Sequence, residues 1–467
     1  MRAIDLSSGR EGPVRRRIYE EIRERILAGE LCAGEALPST RALARELGVS
    51  RSTVVEAYDM LSAEGFLVNR QGAPTRVAAG VAMERPAPPA VPARAEKPPV
   101  RADFRTGRPD LERFPLQAWR KCLMRGAADL PLRQYGYADC AGLPALRREI
   151  SEWLMRGRGF AANPDDIFVT AGATHALSLL ADILGADGRK VLIEDPCHGG
   201  MRKALLRAGR AVEPVPADDR GIVTDMLPDN AAVSAVYVTP SHQFPLGGIL
   251  PAARRAALIR FARARDSYII EDDYDSEFRY AGAPVNPLCA MDAQRVVYVG
   301  TFSKTVFPAL RVGFAVLPRA LQAAWRARRM YMDVQNPPFE QAALAEFLAG
   351  RGLDRHVHKM RALYGKRRQA LLAALAESFG DGFAVCGDAA GLHAAVDFPG
   401  ARFDEAFARR CAGDGILVTP LETHCIEKGR HESALVLGYG HLEEEAIRSG
   451  TRRLARAVEA CRKAPLP

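Results

Sequence analysis

Between Gly80 and Ala102 the chain runs through Arg85-Pro-Ala-Pro-Pro-Ala-Val-Pro92 and Lys97-Pro-Pro99, a composition that cannot build a core. Proline removes an amide donor and fixes φ, so such a run tends to extended polyproline geometry and serves as a semi-rigid spacer. Docking of a proline-binding module is the other use open to it. The run divides 467 residues into a short first part and a long second one, and a chain of that length exceeds one ordinary core in any case. The domains expected are therefore 12–79, a linker over 80–102, and 103–467.

Composition excludes several classes. The hydrophobic share of 48% and charged share of 26% are those of a soluble globular protein, and no apolar run is long enough to cross a bilayer. The polar start Met1-Arg-Ala-Ile-Asp-Leu-Ser-Ser-Gly9 has no signal-peptide core, so a cytoplasmic location is expected. Nine cysteines are scattered without a Cys-x-x-Cys pair, against a disulfide framework or a structural zinc. His356 and His358, two apart on a helical pattern, do not share a face, and no metal site is expected. The formal charge of +9 suits a nucleic-acid partner without requiring one.

In the first part, Ile18, Ile22 and Ile26 recur at helical spacing with charge on the other face. Ser39 then caps a short helix carrying Leu43 and Leu47, Gly48 permits a turn, and Ser50 caps a second helix with Val54, Ala57, Tyr58 and Leu61 inward. Two short capped helices joined at a glycine are a helix-turn-helix pattern, with the second as reader. Its first turn offers Ser50, Arg51, Ser52 and Thr53 to bases or phosphates, and Arg41 approaches from the preceding helix. Phe66–Arg70 and Thr75–Val77 alternate on either side of the turn Gln71-Gly72-Ala73-Pro74, a two-stranded wing. A small helical domain that binds protein remains the alternative; the hydroxyl-rich, cationic first turn favours double-stranded DNA.

From Asp103 onward helical and strand-like patterns alternate, which calls for an α/β sheet flanked by helices. The run Val296–Val299 reads as a strand that Gly300-Thr-Phe-Ser303 ends, leaving Lys304 where strand gives way to loop. Open α/β sheets put their chemistry there. A strand-like run, Ser267-Tyr-Ile-Ile270, delivers Glu271, Asp272, Asp273 and Tyr274 at its own end. A lysine amine, an acid for a ring nitrogen and a phenol for a ring hydroxyl are what pyridoxal 5'-phosphate needs. Ser303 and Arg311 add phosphate-gripping groups, with Lys304 as the Schiff-base lysine. Taken singly, the lysine would be a surface group and the acids a solvated turn; the constellation outweighs its parts. Ala171-Gly-Ala-Thr-His-Ala-Leu177 after the strand-like Ile167–Thr170 opens a helix whose free amides can receive phosphate.

Gly300-Thr-Phe-Ser-Lys-Thr-Val-Phe-Pro-Ala-Leu-Arg311 resembles the MocR/GabR subgroup of GntR transcriptional regulators, in which a fold type I aminotransferase-like domain follows a winged helix-turn-helix. Gly29-Glu-Leu-Cys-Ala-Gly-Glu-Ala-Leu-Pro-Ser-Thr-Arg41 and Leu47-Gly-Val-Ser-Arg-Ser-Thr-Val54 are similar to the reading head of that family. The resemblance implies DNA-facing roles for Ser39, Arg41, Ser50, Arg51, Thr53 and Gly72, although the wing tip has Gly-Ala-Pro-Thr where the family usually has Gly-Ser-Gly-Thr. It implies a phosphate loop at Ala173 and Thr174, a pyridine-nitrogen partner at Asp272 with Asp273 as the other choice, and Tyr274 at the ring hydroxyl. His198 stands where an aromatic usually stacks on the ring, Phe244 where many aminotransferases have asparagine, and Arg430 near the arginine that holds a substrate carboxylate. A smaller C-terminal α/β subdomain with Leu435–Tyr439 as a strand, a homodimer for which a head-to-tail arrangement is one option, and an amine or amino-acid effector exchanging with Lys304 complete the implied picture. A working aminotransferase with an appended DNA-binding domain, or a sensor of pyridoxal phosphate itself, are the alternatives. At most weak transamination is expected, because Phe244 replaces a ring-contacting amide.

Overall fold

Two serine caps and one left-handed glycine set the first helices of this computed structural model, which describes residues 12–70, 73–81, 99–229, 231–282, 285–387 and 389–463. Helix α1 (Val14–Leu27) packs Ile18, Ile22 and Ile26 inward. In α2 (Thr40–Leu47), Ser39 Oγ accepts from the Ala42 amide at 3.2 Å and Gly48 closes the helix at φ 67°. In α3 (Arg51–Ala63), Ser50 Oγ accepts from Thr53 N at 3.2 Å, and Val54, Ala57, Tyr58 and Leu61 are buried. Strands β1 (Leu67–Val68) and β2 (Arg76–Val77) pair antiparallel as the wing. The chain divides into two compact units, residues 1–96 and 97–467, and each is described by itself.

The second unit begins with β3 (Ala102–Asp103), α4 (Leu116–Ala128), α5 (Pro144–Arg158), β4 (Ile167–Thr170), α6 (Ala173–Ile183), β5 (Lys190–Asp195) and α7 (Gly199–Arg207). It continues with β6 (Val212–Asp218), β7 (Gly221–Ile222), β8 (Val233–Val238), α8 (Ala252–Ala264), β9 (Tyr268–Asp273), β10 (Val296–Thr301) and β11 (Gly313–Val316). Strands β4 to β11 form an eight-stranded sheet in the order β4-β11-β10-β9-β8-β5-β6-β7, whose centre, from β10 to β6, is parallel. These central strands are covered on both faces, which is why they read as continuous apolar runs rather than alternating ones. Successive side chains nonetheless sort to opposite cores: Val236, Ile269 and Val296 go to one, Tyr237, Ile270 and Val297 to the other.

Helices α9 (Arg319–Met332), α10 (Pro338–Ala349) and α11 (Gly352–Phe379) lead to the smaller subdomain. It contains β12 (Ala384–Cys386), β13 (His393–Asp397), α12 (Glu405–Gly413), β14 (Ile416–Leu417), β15 (Thr419–Pro420), β16 (Ala434–Gly438) and α13 (Glu444–Lys463). Its four-stranded sheet, β12-β13-β16-β15, is antiparallel and packs on apolar residues of α11 and α13, among them Leu371, Leu375, Leu454 and Val458. β14 pairs with β3, so Ala102, at the end of the linker expected from sequence, is hydrogen-bonded into this unit.

Two strands run further than their sequence patterns. β9 continues through Glu271, Asp272 and Asp273, and β10 through Gly300 and Thr301, because each supplies the other's ladder partners, Asp272 opposite Val299 and Asp273 opposite Gly300. Backbone pairing thereby carries three carboxylates into the sheet, where pleat alternation decides which way each one faces.

Candidate cofactor and DNA-binding sites

At the C-terminal ends of β8, β9 and β10 lies a cavity of about 300 Å³. Of the sequence-derived residues, Lys304, Asp272, Tyr274, Ser303, Arg311, Ala173, Thr174 and His198 all line it, as does Phe244. Lys304 Nζ donates to the Gly107 carbonyl at 2.6 Å. Burial lowers the pKa of this amine and Arg311 lowers it further, against the opposing pull of Asp275 and Asp272. A less basic amine is a better nucleophile at neutral pH.

Asp272 projects from the cavity face of β9. Its Oδ2 accepts from Tyr237 OH at 2.7 Å, while Oδ1 is buried with no partner among the described residues. Burial pushes this carboxyl up to about 6, with Tyr237 and Lys304 pulling it down and Asp273 and Asp275 adding to the rise. Asp273 faces the other core, held by Tyr298 OH at 2.6 Å and Arg158 Nη2 at 2.7 Å, and does not line the cavity. The choice between the two carboxylates that the sequence left open is thus one of sheet face.

Tyr274 OH lies 3.0 Å from His242 Nδ1 and donates to the His242 carbonyl at 3.0 Å. Behind it His242 Nδ1 meets Asp275 Oδ1 at 2.9 Å, and His393 Nε2 lies 3.3 Å from the Pro245 carbonyl. The potential ligand atoms of His242, Asp275 and His393 lie within 4.8 Å of one another, a grouping of three chain segments that no local spacing announces. His356 and His358, the pair weighed from sequence, are one buried and one exposed.

The opposite end of the cavity is an anion cradle. Gly172 caps α6 at φ 88°, and the guanidinium of Arg311 lies so close that a Cβ on Gly172 would meet Nη2 at 2.9 Å. Arg311 is anchored through Nη2 to the Ala171 carbonyl at 2.5 Å. Among the described residues, the amides of Ala173 and Thr174 have no backbone acceptor, and a helix N-terminus with free amides beside a guanidinium favours phosphate. Ser303 Oγ lies 3.1 Å from Thr301 Oγ1 on the same rim.

His198 forms the wall next to Phe244, ring centroids 5.4 Å apart in an edge arrangement, and its Nδ1 caps α7 through the Gly200 amide. Burial first, then Lys304, keeps the imidazole below its usual pKa. Arg430 is not brought to the cavity: it is half-exposed and pairs with Glu427 at 2.6 Å. The loop around it is tied to Glu422, whose carboxylate accepts from Gly429 N at 2.5 Å and His431 N at 3.1 Å.

In the first unit Ser39, Arg41, Ser50 and Arg51 are exposed and Thr53 is half-buried. Ser50 Oγ contacts Ser52 Oγ at 2.8 Å and Thr53 Oγ1 at 2.7 Å, so the hydroxyls that face outward also hold the helix start. Gly72 lies outside the described residues.

Residues 14–77 match the family of bacterial regulatory proteins of the gntR family, and residues 102–435 match aminotransferase class I and II. The chain is 34% identical to the probable rhizopine catabolism regulatory protein MocR of Rhizobium meliloti over 96% of this chain and 94% of that one. The chain belongs to the MocR-type GntR regulators. It is also 33% identical to the pyridoxine biosynthesis transcriptional regulator PdxR of Corynebacterium glutamicum, covering 94% of this chain and 95% of that protein. Among solved structures it is similar to the α-aminoadipate aminotransferase LysN of Thermus thermophilus, complexed with N-(5'-phosphopyridoxyl)-L-leucine, at 28% identity and a TM-score of 0.70, covering 77% of this chain and 92% of that one.

Sequence reasoning about this MocR-type chain missed Tyr237, Gly107, Asp275 and His393 as cavity residues. Tyr237 was findable, since it shares a sheet face with Asp272 one strand away. Gly107 and His393 carry no local signal, because both arrive from distant segments.

Proposed function

We propose that the chain is a transcriptional regulator whose first domain binds double-stranded DNA and whose second domain, loaded with pyridoxal phosphate, senses an amine-bearing small molecule at Lys304. The observation that carries the reading is one cavity holding a lysine amine of lowered basicity, an orphaned buried carboxylate oxygen and a helix N-terminus backed by an arginine. These residues fit the group. Asp272 Oδ1 is an unmet acceptor to which a protonated pyridine nitrogen would donate, and Ala173, Thr174, Ser303 and Arg311 are donors for a phosphate. When bound, pyridoxal phosphate supplies an aldehyde carbon that can trade one amine for another.

The chain's own residues set the response to that exchange. As a free amine Lys304 Nζ donates to Gly107 O, so this carbonyl would receive the amine that an effector displaces. Tyr274, steadied by His242 and Asp275, presents a phenol to the ring side of the cavity. His198, Phe244 and His393 offer aromatic and imidazole surface to the effector; among the described lining residues Arg311 is the one guanidinium, and it belongs to the phosphate end. The effector is accordingly an amine whose remaining part stacks or accepts neutral hydrogen bonds. A ligand that prefers one arrangement of the regulator shifts its DNA affinity by that preference and no more. Ser39, Arg41, Ser50, Arg51, Thr53 and Gly72 are the DNA-facing set in this proposal, residues 80–102 the tether, and a cytoplasmic homodimer on repeated half-sites the working form.

The test is a pair of measurements on full-length protein. Borohydride treatment of cofactor-loaded protein leaves a pyridoxyl mass on the Lys304 peptide and none in Lys304→Ala. Operator-fragment affinity changes when an amine effector is added to the parent and stays constant in Lys304→Ala. A pyridoxyl group on another lysine would overturn the site, and multiple turnovers of amine with keto acid would favour the enzyme alternative.

A further inference from the structure

On the sheet face opposite the cofactor cavity lies a second cavity of about 320 Å³, lined by Trp153 and Arg158 of α5, by Ser276, Glu277, Arg279 and Gly282, and by one face of α11. Its floor is Arg158, a guanidinium only 7% exposed, whose Nη2 serves Asp273 and Ser241 at 2.7 and 2.8 Å and whose Nε has no partner. Ser276 Oγ, also in the lining, is buried and has no partner among the described residues. Two further guanidiniums stand above. Arg279 and Arg361 each spend Nε on a carbonyl of the Ser276–Gly282 loop, of Ala281 at 2.9 Å and of Glu277 at 2.8 Å, and among the described residues neither has an ion pair. A neighbouring cleft continues the basic wall with Lys366 on α11.

Asp273 offsets the charge of Arg158, but among the described residues no acid pairs with Arg279 or Arg361. Asp354 is committed to Arg351 at 2.5 Å and Arg156 at 3.4 Å. Burial first, then Asp273, raises the Glu277 pKa, which disfavours a fixed negative charge on this wall. Arg158 and Arg279 meanwhile repel: Arg158 lowers the pKa of Arg279, after burial the second cause. Like charges gathered around a concave space with unmet donors are what a multiply charged oxyanion relieves, and planar guanidiniums match its oxygens in pairs.

We propose that this groove is a binding site for a small phosphate-type anion, distinct from the cofactor phosphate cradle, with Arg279 and Arg361 as its cations and Arg158 Nε and Ser276 Oγ as hydrogen-bond donors. A small anion is favoured over a nucleic-acid backbone because Arg158 is recessed; a duplex would reach Arg279 and Arg361 at the mouth but not the floor. The site would also be next to the cofactor's acid in sequence, since Arg158 holds Asp273 and Asp273 follows Asp272 on β9.

Inorganic pyrophosphate titrated calorimetrically into full-length, cofactor-loaded protein tests it. One site per chain is expected, weakened about tenfold or more by Arg279→Gln with Arg361→Gln, since each loses a charge-assisted contact. Both side chains are anchored at the surface, so the double variant is expected to keep its gel-filtration volume and bound-cofactor absorbance; Arg361→Lys alone retains part of the affinity, and Arg409→Gln, a surface control, changes nothing. The absence of binding by the parent, or undiminished binding by the double variant, overturns the site. Displacement of the pyrophosphate by a non-operator duplex would instead assign the groove to nucleic acid and overturn the small-anion reading.

Discussion

Asp272 and Asp273 are consecutive on β9, yet Tyr237 donates to the first on one face of the sheet while Arg158 and Tyr298 hold the second on the other. One residue of register separates a carboxylate with an open oxygen in a ligand cavity from one locked in an ion pair.

Asp272→Asn is expected to stabilise the cofactor-free protein at pH 8 relative to the parent and to change little near pH 3, where the carboxyl is protonated in both states. Burial raises the folded-state pKa of Asp272 to about 6, above its ordinary value, so the folded state holds this proton longer than the unfolded one. The corresponding stability is fully present below the ordinary value of 3.8 and is lost as pH rises from there to about 6. A shift of this size is worth about 1–3 kcal/mol. Thermal melts at the two pH values read it, and the same variant binds pyridoxal phosphate more weakly because an amide cannot balance a pyridinium.

Removing one partner of the buried pair beneath β9 has the opposite sign. Arg158→Met leaves Asp273 without its cation and is expected to destabilise the second unit by about 3–5 kcal/mol, with part recovered in Arg158→Met plus Asp273→Asn. The chain's tryptophans, Trp119, Trp153 and Trp325, all lie in this unit, so fluorescence during urea unfolding reports it alone.

Gly172→Ala strikes the phosphate cradle. The residue sits at φ 88°, and an added Cβ would meet Arg311 Nη2 at 2.9 Å. Losing one charge-assisted contact is expected to weaken pyridoxal phosphate binding about tenfold, measured by absorbance titration, while the fluorescence unfolding midpoint of cofactor-free protein moves less than in Arg158→Met.

Ser50→Ala removes the α3 cap and is expected to cost about 1 kcal/mol in the first unit. Amide exchange in α3 quickens about fivefold while that of β9 is unchanged. Operator affinity is expected to fall with it, because the capped turn is also the surface proposed to face DNA. Ser50→Asp separates the two roles: it keeps the cap and places a negative charge against phosphate.

The helix-turn-helix was legible to within a residue or two, because its signals are local. Ser39, Gly48 and Ser50 act on their own neighbours, and the apolar spacing of α1 to α3 needs no distant partner. The cavity was legible where strand ends carry unusual residues, hence Lys304 and the acids after Ile270. That Arg430 lies away from the cavity was not legible, because its position depends on how Glu422 gathers a loop, and no spacing records that.

Sequence alone determined the two-part organisation, the capped reading head and the strand-to-loop lysine, since proline runs, caps and buried strands act through chemistry within a few residues. Tertiary structure decided which carboxylate faces the cavity, that Gly107 rather than a neighbour receives Lys304 Nζ, and that Arg158, Arg279 and Arg361 share one groove. Those outcomes depend on strand register and on contacts between segments far apart in the chain, and both are settled only when the sheet closes around its cores.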